Sequence, residues 1–540
     1  GADGIFRHTR ARLSPAPTSI EGDGSRCVLV VRRRLKSGES LALTLDVTPG
    51  EGELGPFPEA NLEAVAESHR RWISDAPRIA AGPADAIVRR AQEDLRALLF
   101  PTEDGLYPAA GIPWYVVPFG RDALIIAFQS LPFYPQVAQG VLRHLARHQA
   151  KEYDPWRDAA PGKILHELRT GETTRLGLTP HAPYYGSIDA TPLFIALLAE
   201  YYRWTGDLAL IQELESNLQA ALGWAAGPGD PDGDGLLEYR RESSRGLDNQ
   251  GWKDASDSMS HASGQLLAAP IALVEAQGYL YDAYTGAALL YRALGDTRTA
   301  QQLESKAQTL RQRFWQHFWS EELGLYALAL DYAKQPALVA SSNPGHCLWS
   351  GMASTQHARR MAERLFAPDL WSGWGIRTLS ANAPRYNPMS YHNGSVWPHD
   401  NALIAWGLKR YGCDQAANSI VSTLLQAAQT TPDLRLPELF CGFTRLAGTP
   451  PVPYPAACVP QGWDAGAVLL FLRTLLGLEV DAAQRLITLR PALPPQLPQL
   501  TIEGLPLGSA SVTISAWRAG EETRFEVTGD VAVQLARPLV

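Results

Sequence analysis

Cysteine is scarce in this sequence, and its placement excludes the common uses of paired thiols. The 540 residues contain 5 cysteines, which are far apart and form no CxxC pair. They are Cys27, Cys347, Cys413, Cys441 and Cys458. An odd, scattered set argues against a disulfide framework and against a cysteine zinc site. We therefore expect free thiols in a reducing compartment and a cytoplasmic protein.

Long hydrophobic runs and an excess of positive charge are lacking as well. No apolar run approaches the ~20 residues that a bilayer-spanning helix needs, and the first residues show no signal-peptide pattern. The formal net charge is -8, and the single dense basic run, Arg32–Lys36, is typical of a solvated strand end. We expect neither a nucleic-acid partner nor a membrane partner.

Aromatic residues, by contrast, are plentiful: the chain has 15 Trp and 19 Tyr. Many of them stand beside Gly, Pro, Asp or His in loops and not on periodic helix faces. Filling a large core is the simpler explanation of such rings. Rings with polar neighbours also suit sugars, whose faces are partly apolar and partly hydroxylated, and we favour a carbohydrate partner.

The hydrophobic pattern divides the chain into four parts. Residues 1–55 are a β-rich segment, residues 56–80 a linker helix capped by Asn61, residues 81–480 a helical region, and residues 481–540 a β appendage. The helices predicted in the third part are 83–99, 121–131, 135–150, 188–205, 208–225, 264–294, 297–318, 353–366, 395–411, 414–429 and 463–476. No repeat of fixed period is present, which disfavours an open α-solenoid. We expect a mostly α fold, an (α/α)6 toroid with small β segments at both ends.

The strongest local signal for chemistry is the segment Asn249–Asp257, in which Asp254 follows an indole and an ammonium group. An acid that assists glycosidic cleavage must stay protonated near neutral pH. Trp252 raises the pKa of a neighbouring carboxyl and Lys253 lowers it, so the sequence leaves the pKa of Asp254 open. Capping of a following helix is the alternative role, which we retain for Asp257 only.

A second carboxylate of interest is Glu438, in a proline-bounded loop between two predicted helices. Phe440 and Phe443 follow it. A glutamate placed in this way can activate water, although a solvated loop residue is the simpler interpretation. Glu438 is far from Asp254 along the chain, so the two can meet only if the fold closes on itself, as a toroid does.

Two further clusters combine polar and aromatic side chains. In Trp114–Asp122, the pair Arg121 and Asp122 starts a helix and can grip sugar hydroxyls or support the helix dipole. In Tyr391–Asn401, two histidines and an aspartate stand near an indole and an amide. Their spacing matches no zinc site, and we expect no metal there.

Three aspartates have the oxygen-ligand spacing of a calcium loop: Asp230, Asp232 and Asp234. The segment lacks the glutamate that an EF-hand loop carries at its twelfth position. We therefore favour a glycine-rich turn with solvated aspartates, with calcium as the lesser alternative, and expect no cofactor.

Five segments together resemble the catalytic domain of amylo-α-1,6-glucosidase (glycogen-debranching-like) proteins and the related glycoside hydrolase families 63 and 133. They are Pro118–Asp122, Tyr185–Pro192, Gln250–Asp254, His392–Pro398 and Pro437–Leu439, in family order within residues 85–476. The resemblance implies an (α/α)6 barrel and inverting hydrolysis of an α-glucosidic bond without a cofactor. By motif position it implies that Asp254 is the general acid and Glu438 the general base.

The resemblance also implies which residues line the sugar-binding subsite. These are Arg121, Asp122, Asp189, Trp252, Lys253, His392 and Trp397. To this set we add aromatic and amide residues of the same loops, namely Trp114, Phe119, Tyr185, Asn393 and Trp463.

The sequence departs from the resembled proteins at its start, where they carry a larger β-sandwich. The chain begins at Gly1, and we expect a trimmed or a reduced N-terminal domain. Polymer debranching is then in doubt, and a small α-glucosyl- or α-mannosyl-glycerate compound stays open as substrate. Phosphorolysis and epimerisation are the alternative reactions for such a barrel, and phosphorolysis is disfavoured because it needs an anion pocket and no general base such as Glu438. A non-catalytic carbohydrate-binding protein would need neither Asp254 nor Glu438, and the oligomeric state stays open.

Overall fold

The computed structural model describes residues 1–23, 26–53 and 62–539. It divides into two compact units, one of Gly1–Ser68 with Thr170–Thr179 and one of His69–Arg169 with Pro180–Val540. The first part of the predicted linker helix, with its cap Asn61, lies outside the described residues. The predicted boundaries at residues 55, 80 and 480 stay predictions.

The described chain is mostly helical, and none of its described helices is both long enough and apolar enough to cross a membrane. The helices are α1 (Leu62–Ser74), α2 (Asp85–Leu98), α3 (Gly120–Ser130), α4 (Pro135–Arg147), α5 (Glu172–Arg175), α6 (Ala190–Thr205), α7 (Leu208–Glu213), α8 (Glu215–Ala225), α9 (Val274–Ala293), α10 (Thr297–Phe318), α11 (His346–Trp349), α12 (Thr355–Leu365), α13 (Pro398–Arg410), α14 (Asp414–Gln429) and α15 (Gly462–Leu476).

Six of these helices pack against one another in sequence and bring the chain back to its starting point. α3 packs on α6, α6 on α9, α9 on α11, α11 on α13, α13 on α15, and α15 again on α3. Every residue of α3 and of α15 is buried, as expected of helices that are covered on all sides. We call these six the ring helices.

Amphipathic helices cover the ring helices from outside. α2 packs on α15, α4 on α3, α8 on α6, α10 on α9 and α14 on α13. In α10, which is 22 residues long, the buried side chains recur at helical spacing on one face and the rest of the surface is polar. Alternation of ring and covering helices along the chain fits an (α/α)6-type fold.

The strands are short and gather at the two ends of the chain and beside the ring helices. They are β1 (Arg7–Ser14), β2 (Ser19–Asp23), β3 (Arg26–Val30), β4 (Thr44–Glu51), β5 (Arg78–Ala80), β6 (Leu99–Thr102), β7 (Gly105–Gly111), β8 (Tyr115–Pro118), β9 (Ala272–Leu273), β10 (Trp319–Ser320), β11 (Leu325–Tyr326), β12 (Ala329–Leu330), β13 (Glu479–Asp481), β14 (Leu486–Leu489), β15 (Gln499–Leu507), β16 (Ala510–Ala519), β17 (Glu522–Thr528) and β18 (Ala532–Leu535).

The first unit contains two antiparallel ribbons, β1 with β4 and β2 with β3. In the second unit β17, β16, β15 and β5 form an antiparallel sheet, and β13, β14 and β18 form a smaller mixed sheet in which β14 and β18 are parallel. The antiparallel β6–β7–β8 sheet was not expected from the sequence, because Pro101, Pro108 and Pro113 interrupt its hydrophobic pattern.

One predicted helix is shorter than expected. The sequence predicts a helix over 264–294, whereas α9 begins at Val274. Pro270 lacks the N–H that a helix interior needs, and Ile271 pairs instead with Tyr239 in a β-bridge. The predicted cap at Asp257 is therefore wrong, because no helix starts after it within the described residues before Val274.

Glycines allow the ring helices to approach closely, and a matched pair of substitutions tests this. A Cβ at Gly407 of α13 would lie 2.5 Å from Leu348 Cβ and 2.6 Å from the backbone nitrogen of Trp349 on α11. We expect Gly407→Ala to lower the free energy of unfolding by about 1–3 kcal/mol through overpacking. Gly223→Ala, in the exposed face of α8 with nothing within 4 Å, should raise it by about 0.5–1 kcal/mol. Equal effects in urea denaturation would contradict the close approach.

Candidate active site

The two predicted catalytic carboxylates line one pocket. The pocket is lined by Tyr115, Phe119, Arg121, Asp122, Trp252, Asp254, Tyr391, His392, Trp397, Glu438 and Trp463. Nine of these residues were predicted from the sequence, whereas Tyr115 and Tyr391 were not.

The ring helices present their N-terminal ends to this pocket. Arg121 and Asp122 lie in the first turn of α3, Trp397 precedes α13, and Trp463 lies in the first turn of α15. Asp189 directly precedes α6 and contacts Arg121. The positive end of a helix dipole stabilises a nearby carboxylate, so the arrangement favours acidic side chains and polar ligands here.

Asp254 is held at the pocket by Arg121. The Arg121 guanidinium donates from Nη2 to Asp254 Oδ2 at 3.1 Å and from Nη1 to Asp189 Oδ2 at 3.1 Å. Burial raises the pKa of Asp254 to about 6, and the positive charge of Arg121 opposes that rise. A carboxyl with this pKa keeps its proton in weakly acidic solution and can donate it.

Glu438 is fixed through both of its carboxylate oxygens by neutral donors. The Tyr391 hydroxyl donates to Oε1 at 2.5 Å, and the backbone N–H of Cys458 donates to Oε2 at 2.9 Å. Burial raises the pKa of Glu438, and these two hydrogen bonds oppose the rise by favouring the charged form. The result is an oriented carboxylate in the pocket.

Aromatic rings form the walls of the pocket. Trp252 and Trp397 meet edge to face with ring centroids 5.7 Å apart, and His392 stacks on Trp397 at 5.2 Å. Tyr391 meets Trp397 edge to face at 4.8 Å. Such walls offer apolar faces to a sugar ring, while the carboxylates and Arg121 offer charged partners to its hydroxyls.

Asp122 completes the acidic groups of the pocket. Burial raises the pKa of Asp122 to about 7, although the neighbouring Arg121 lowers it. Three carboxyl groups, those of Asp122, Asp254 and Glu438, thus share one small space. Their mutual repulsion helps to keep at least one of them protonated.

Two residues predicted to bind sugar lie behind the pocket and support it. Asp189 is fully buried, pairs with Arg121 and accepts a hydrogen bond from the Ser187 hydroxyl at 2.5 Å. The Lys253 ammonium donates to the carbonyl oxygen of Thr378 at 2.5 Å and lies 5.1 Å from the centroid of the Trp252 ring.

Three other residues predicted to bind sugar do not line the pocket either. Trp114 is 59% exposed at the β7–β8 turn and donates to the carbonyl oxygen of Ala456. Tyr185 is buried and donates to the carbonyl oxygen of His148. Asn393 donates to the side chain of Asp257 at 3.1 Å.

Tyr115 and Tyr391 were missed although both belong to clusters recognised in the sequence. Tyr115 is the first residue of β8 and directly follows Trp114. Side chains of neighbouring residues in extended backbone point to opposite sides, and here Tyr115 lines the pocket whereas Trp114 does not. Tyr391 precedes His392, and its contact with Glu438 joins segments 47 residues apart, which no local pattern reveals.

A family model for the mannosylglycerate hydrolase MGH1-like glycoside hydrolase domain matches residues 119–445 of this chain. That range contains both predicted catalytic carboxylates. A search of curated protein sequences finds no significant match.

Several solved structures share the fold. The GH63 mannosylglycerate hydrolase from Thermus thermophilus, in complex with Tris and D-glycerate, is 16% identical with a TM-score of 0.53, over 72% of this chain and 100% of that one. A GH78 family rhamnosidase of Bacillus sp. GL1 is 13% identical with a TM-score of 0.60, over 99% of this chain and 52% of that one. A sialidase is 12% identical with a TM-score of 0.63, over 87% of this chain and 42% of that one. The chain thus spans about half or less of the latter two, and at these identities the likeness concerns the fold.

The buried Arg121–Asp189 pair gives a stability prediction. Their side chains are 4% and 1% exposed, so Arg121→Met leaves a buried carboxylate without its cation. We expect the free energy of unfolding in urea to fall by about 3–5 kcal/mol. Arg485→Met removes the exposed ion pair with Asp530 and should cost less than about 1 kcal/mol. Similar losses in both variants would contradict the role of burial.

Proposed function

This chain belongs to the family of mannosylglycerate hydrolase MGH1-like glycoside hydrolases, and we propose that it cleaves an α-glycosidic bond with inversion of the anomeric carbon. The observation that carries this proposal is the meeting of Asp254 and Glu438, from distant segments, in one aromatic pocket. We also propose that the ring helices are the inner wall of a closed (α/α)6 toroid, which brings such distant segments together.

Asp254 is the general acid of the proposed reaction. Because burial raises its pKa to about 6, a fraction of Asp254 is protonated near neutral pH. Its proton can pass to the glycosidic oxygen as the bond to the leaving group breaks. Arg121 then stabilises the carboxylate that remains, because its guanidinium already contacts Oδ2.

Glu438 is the general base. It takes a proton from the water that attacks the anomeric carbon from the face opposite the leaving group. The two donors on Glu438, Tyr391 and the Cys458 N–H, fix the direction of its free lone pairs. Inversion needs a single displacement of this kind, and no cofactor takes part in the proposed steps.

The remaining groups of the pocket bind the sugar ring and its hydroxyls. Trp252 and Trp397 cover the apolar face of the ring, while Arg121 and His392 reach its hydroxyls. The carboxyl group of Asp122, which is largely protonated below about pH 7, would exchange hydrogen bonds with the sugar hydroxyls.

The substrate is an α-glucoside, either a small compound or the end of an α-glucan. A small α-mannosyl- or α-glucosyl-glycerate is the second candidate, and one observation favours it over a branched polymer: the family model is named for mannosylglycerate hydrolase. Membership of this family also weighs against a merely carbohydrate-binding protein.

Sugar release from a panel of α-glucosides, α-glucans, mannosylglycerate and glucosylglycerate tests the reaction and the substrate together. We expect the β-anomer of the released sugar to appear first in proton NMR spectra. Asp254→Asn and Glu438→Gln should each lower kcat by roughly 10²–10⁴-fold, because a proton-transfer group is lost.

Asp257→Asn is the matched control, since Asp257 is exposed and outside the pocket. It should retain activity close to that of the wild type. Early appearance of the α-anomer would contradict inversion, and absence of release from every substrate would favour the non-catalytic alternative.

The pH profile tests the roles of the two carboxyl groups. Activity needs Asp254 protonated, so kcat/KM should fall as the pH rises above about 6, the pKa of that group. The Tyr391 hydrogen bond lowers the pKa of Glu438, so Tyr391→Phe should raise this pKa and move the acidic limb to higher pH. We also expect kcat to fall by roughly 10-fold with one hydrogen bond lost. An unmoved acidic limb would contradict Glu438 as base.

A further inference from the structure

A loop of the second unit is arranged as a cation-binding turn. One carboxylate oxygen from each of Asp230, Asp232 and Asp234 lies within 4.8 Å of the others. Gly233 and Gly235 have φ of 76° and 83°, which side-chain-bearing residues rarely adopt, and these conformations curl the backbone around the carboxylates. The Gly235 N–H donates to Asp230 Oδ2 at 2.9 Å and closes the turn.

A fourth carboxylate, Glu238, joins the loop from its end. Its side chain is 1% exposed, and its Oε2 has no hydrogen-bond partner within the described structure. Asp230 Oδ1 is buried without a partner in the same way. Unpaired buried carboxylate oxygens are costly and indicate that the loop is built around positive charge.

The positive charge comes from Lys334, on a separate turn. Its ammonium lies 2.6 Å from Asp234 Oδ2 and 2.9 Å from Asp232 Oδ2, and it also contacts Glu238 Oε1. The turn is fixed by Asp331 Oδ1, which accepts hydrogen bonds from the backbone N–H groups of residues 333 and 335 at 2.9 Å each. Lys334 itself has a φ of 58°, in the left-handed region that residues with side chains rarely adopt. In this conformation its side chain reaches the carboxylates of the loop.

We propose that Lys334 is a built-in replacement for a divalent cation in this carboxylate loop. The ammonium contacts three carboxylates at once, as a Ca²⁺ ion bound by oxygen ligands would. The loop therefore folds without added metal, and removal of the lysine side chain creates a vacant divalent-cation site ligated by Asp230, Asp232, Asp234 and Glu238.

The loop is joined by hydrogen bonds to the segment that carries Asp254. Leu237 exchanges hydrogen bonds with Gln277 of α9 through both its N–H and its carbonyl oxygen. The hydroxyl of Tyr239 donates to Asn249 Oδ1 at 2.7 Å, and Asn249 Nδ2 donates to the carbonyl oxygen of Ala255, next to Asp254.

Thermal unfolding with calcium or EDTA tests the proposal. The Tm of the wild type should be the same in EDTA and in millimolar CaCl2. We expect Lys334→Met in EDTA to unfold about 2–4 °C lower, because Asp232, Asp234 and Glu238 then lack their cation. Millimolar CaCl2 should return its Tm to the wild-type value, since an ion that binds only the folded state stabilises it. NaCl of equal ionic strength should not.

Three further variants separate specific binding from general charge effects. Lys334→Arg keeps the positive charge and should be insensitive to calcium. Adding Asp232→Asn to Lys334→Met should abolish the calcium response, because one ligand is gone. Lys151→Met, at an exposed lysine, should change the Tm little with or without calcium.

Two results would overturn the proposal. A wild-type Tm that rises with CaCl2 would mean that the loop binds the ion beside or instead of Lys334. The second result is a Tm of Lys334→Met that is unchanged in EDTA, or that is lowered and not restored by CaCl2. Either outcome would mean that the Lys334 ammonium does not occupy the position of a divalent cation.

Discussion

The candidate active site depends on one buried guanidinium, that of Arg121. It is 3% exposed and bridges Asp189, behind the pocket, and Asp254, within it. Asp122, the next residue in α3, is a third carboxyl group whose pKa the positive charge of Arg121 lowers. Three acidic groups can be buried around this point because Arg121 offsets their repulsion, and the balance between burial and this single charge sets the pKa of Asp254.

Charged residues also lie at both ends of the ring helices. Acidic residues such as Asp122 and Asp464 lie in first turns, near the candidate active site. Basic residues such as Arg410 and Arg473 lie in last turns, and line a separate cavity of the same unit. Each of these four charges lies at the helix end that favours it, which lowers the cost of burying it inside a helical assembly.

Much of the fold and the pocket could be predicted from the sequence, for local reasons. Helical periodicity predicted five of the six ring helices but not the four-residue α11, and motifs around Arg121, Asp254 and Glu438 predicted residues that line one pocket. What the sequence did not reveal depends on contacts between distant segments. Tyr391 reaches Glu438, Lys253 turns away from the pocket to Thr378, and strand pairing at residue 271 delays the start of α9.

Buried carboxylates in this protein differ in their partners. Two that support the structure are held by cations: Glu200 pairs with Arg473 and Arg203, and Asp189 with Arg121. Glu438 is held by a phenol and a backbone N–H instead. A cation there would lower the pKa of Glu438 and weaken it as a proton acceptor, whereas neutral donors fix its orientation and leave more of its basicity.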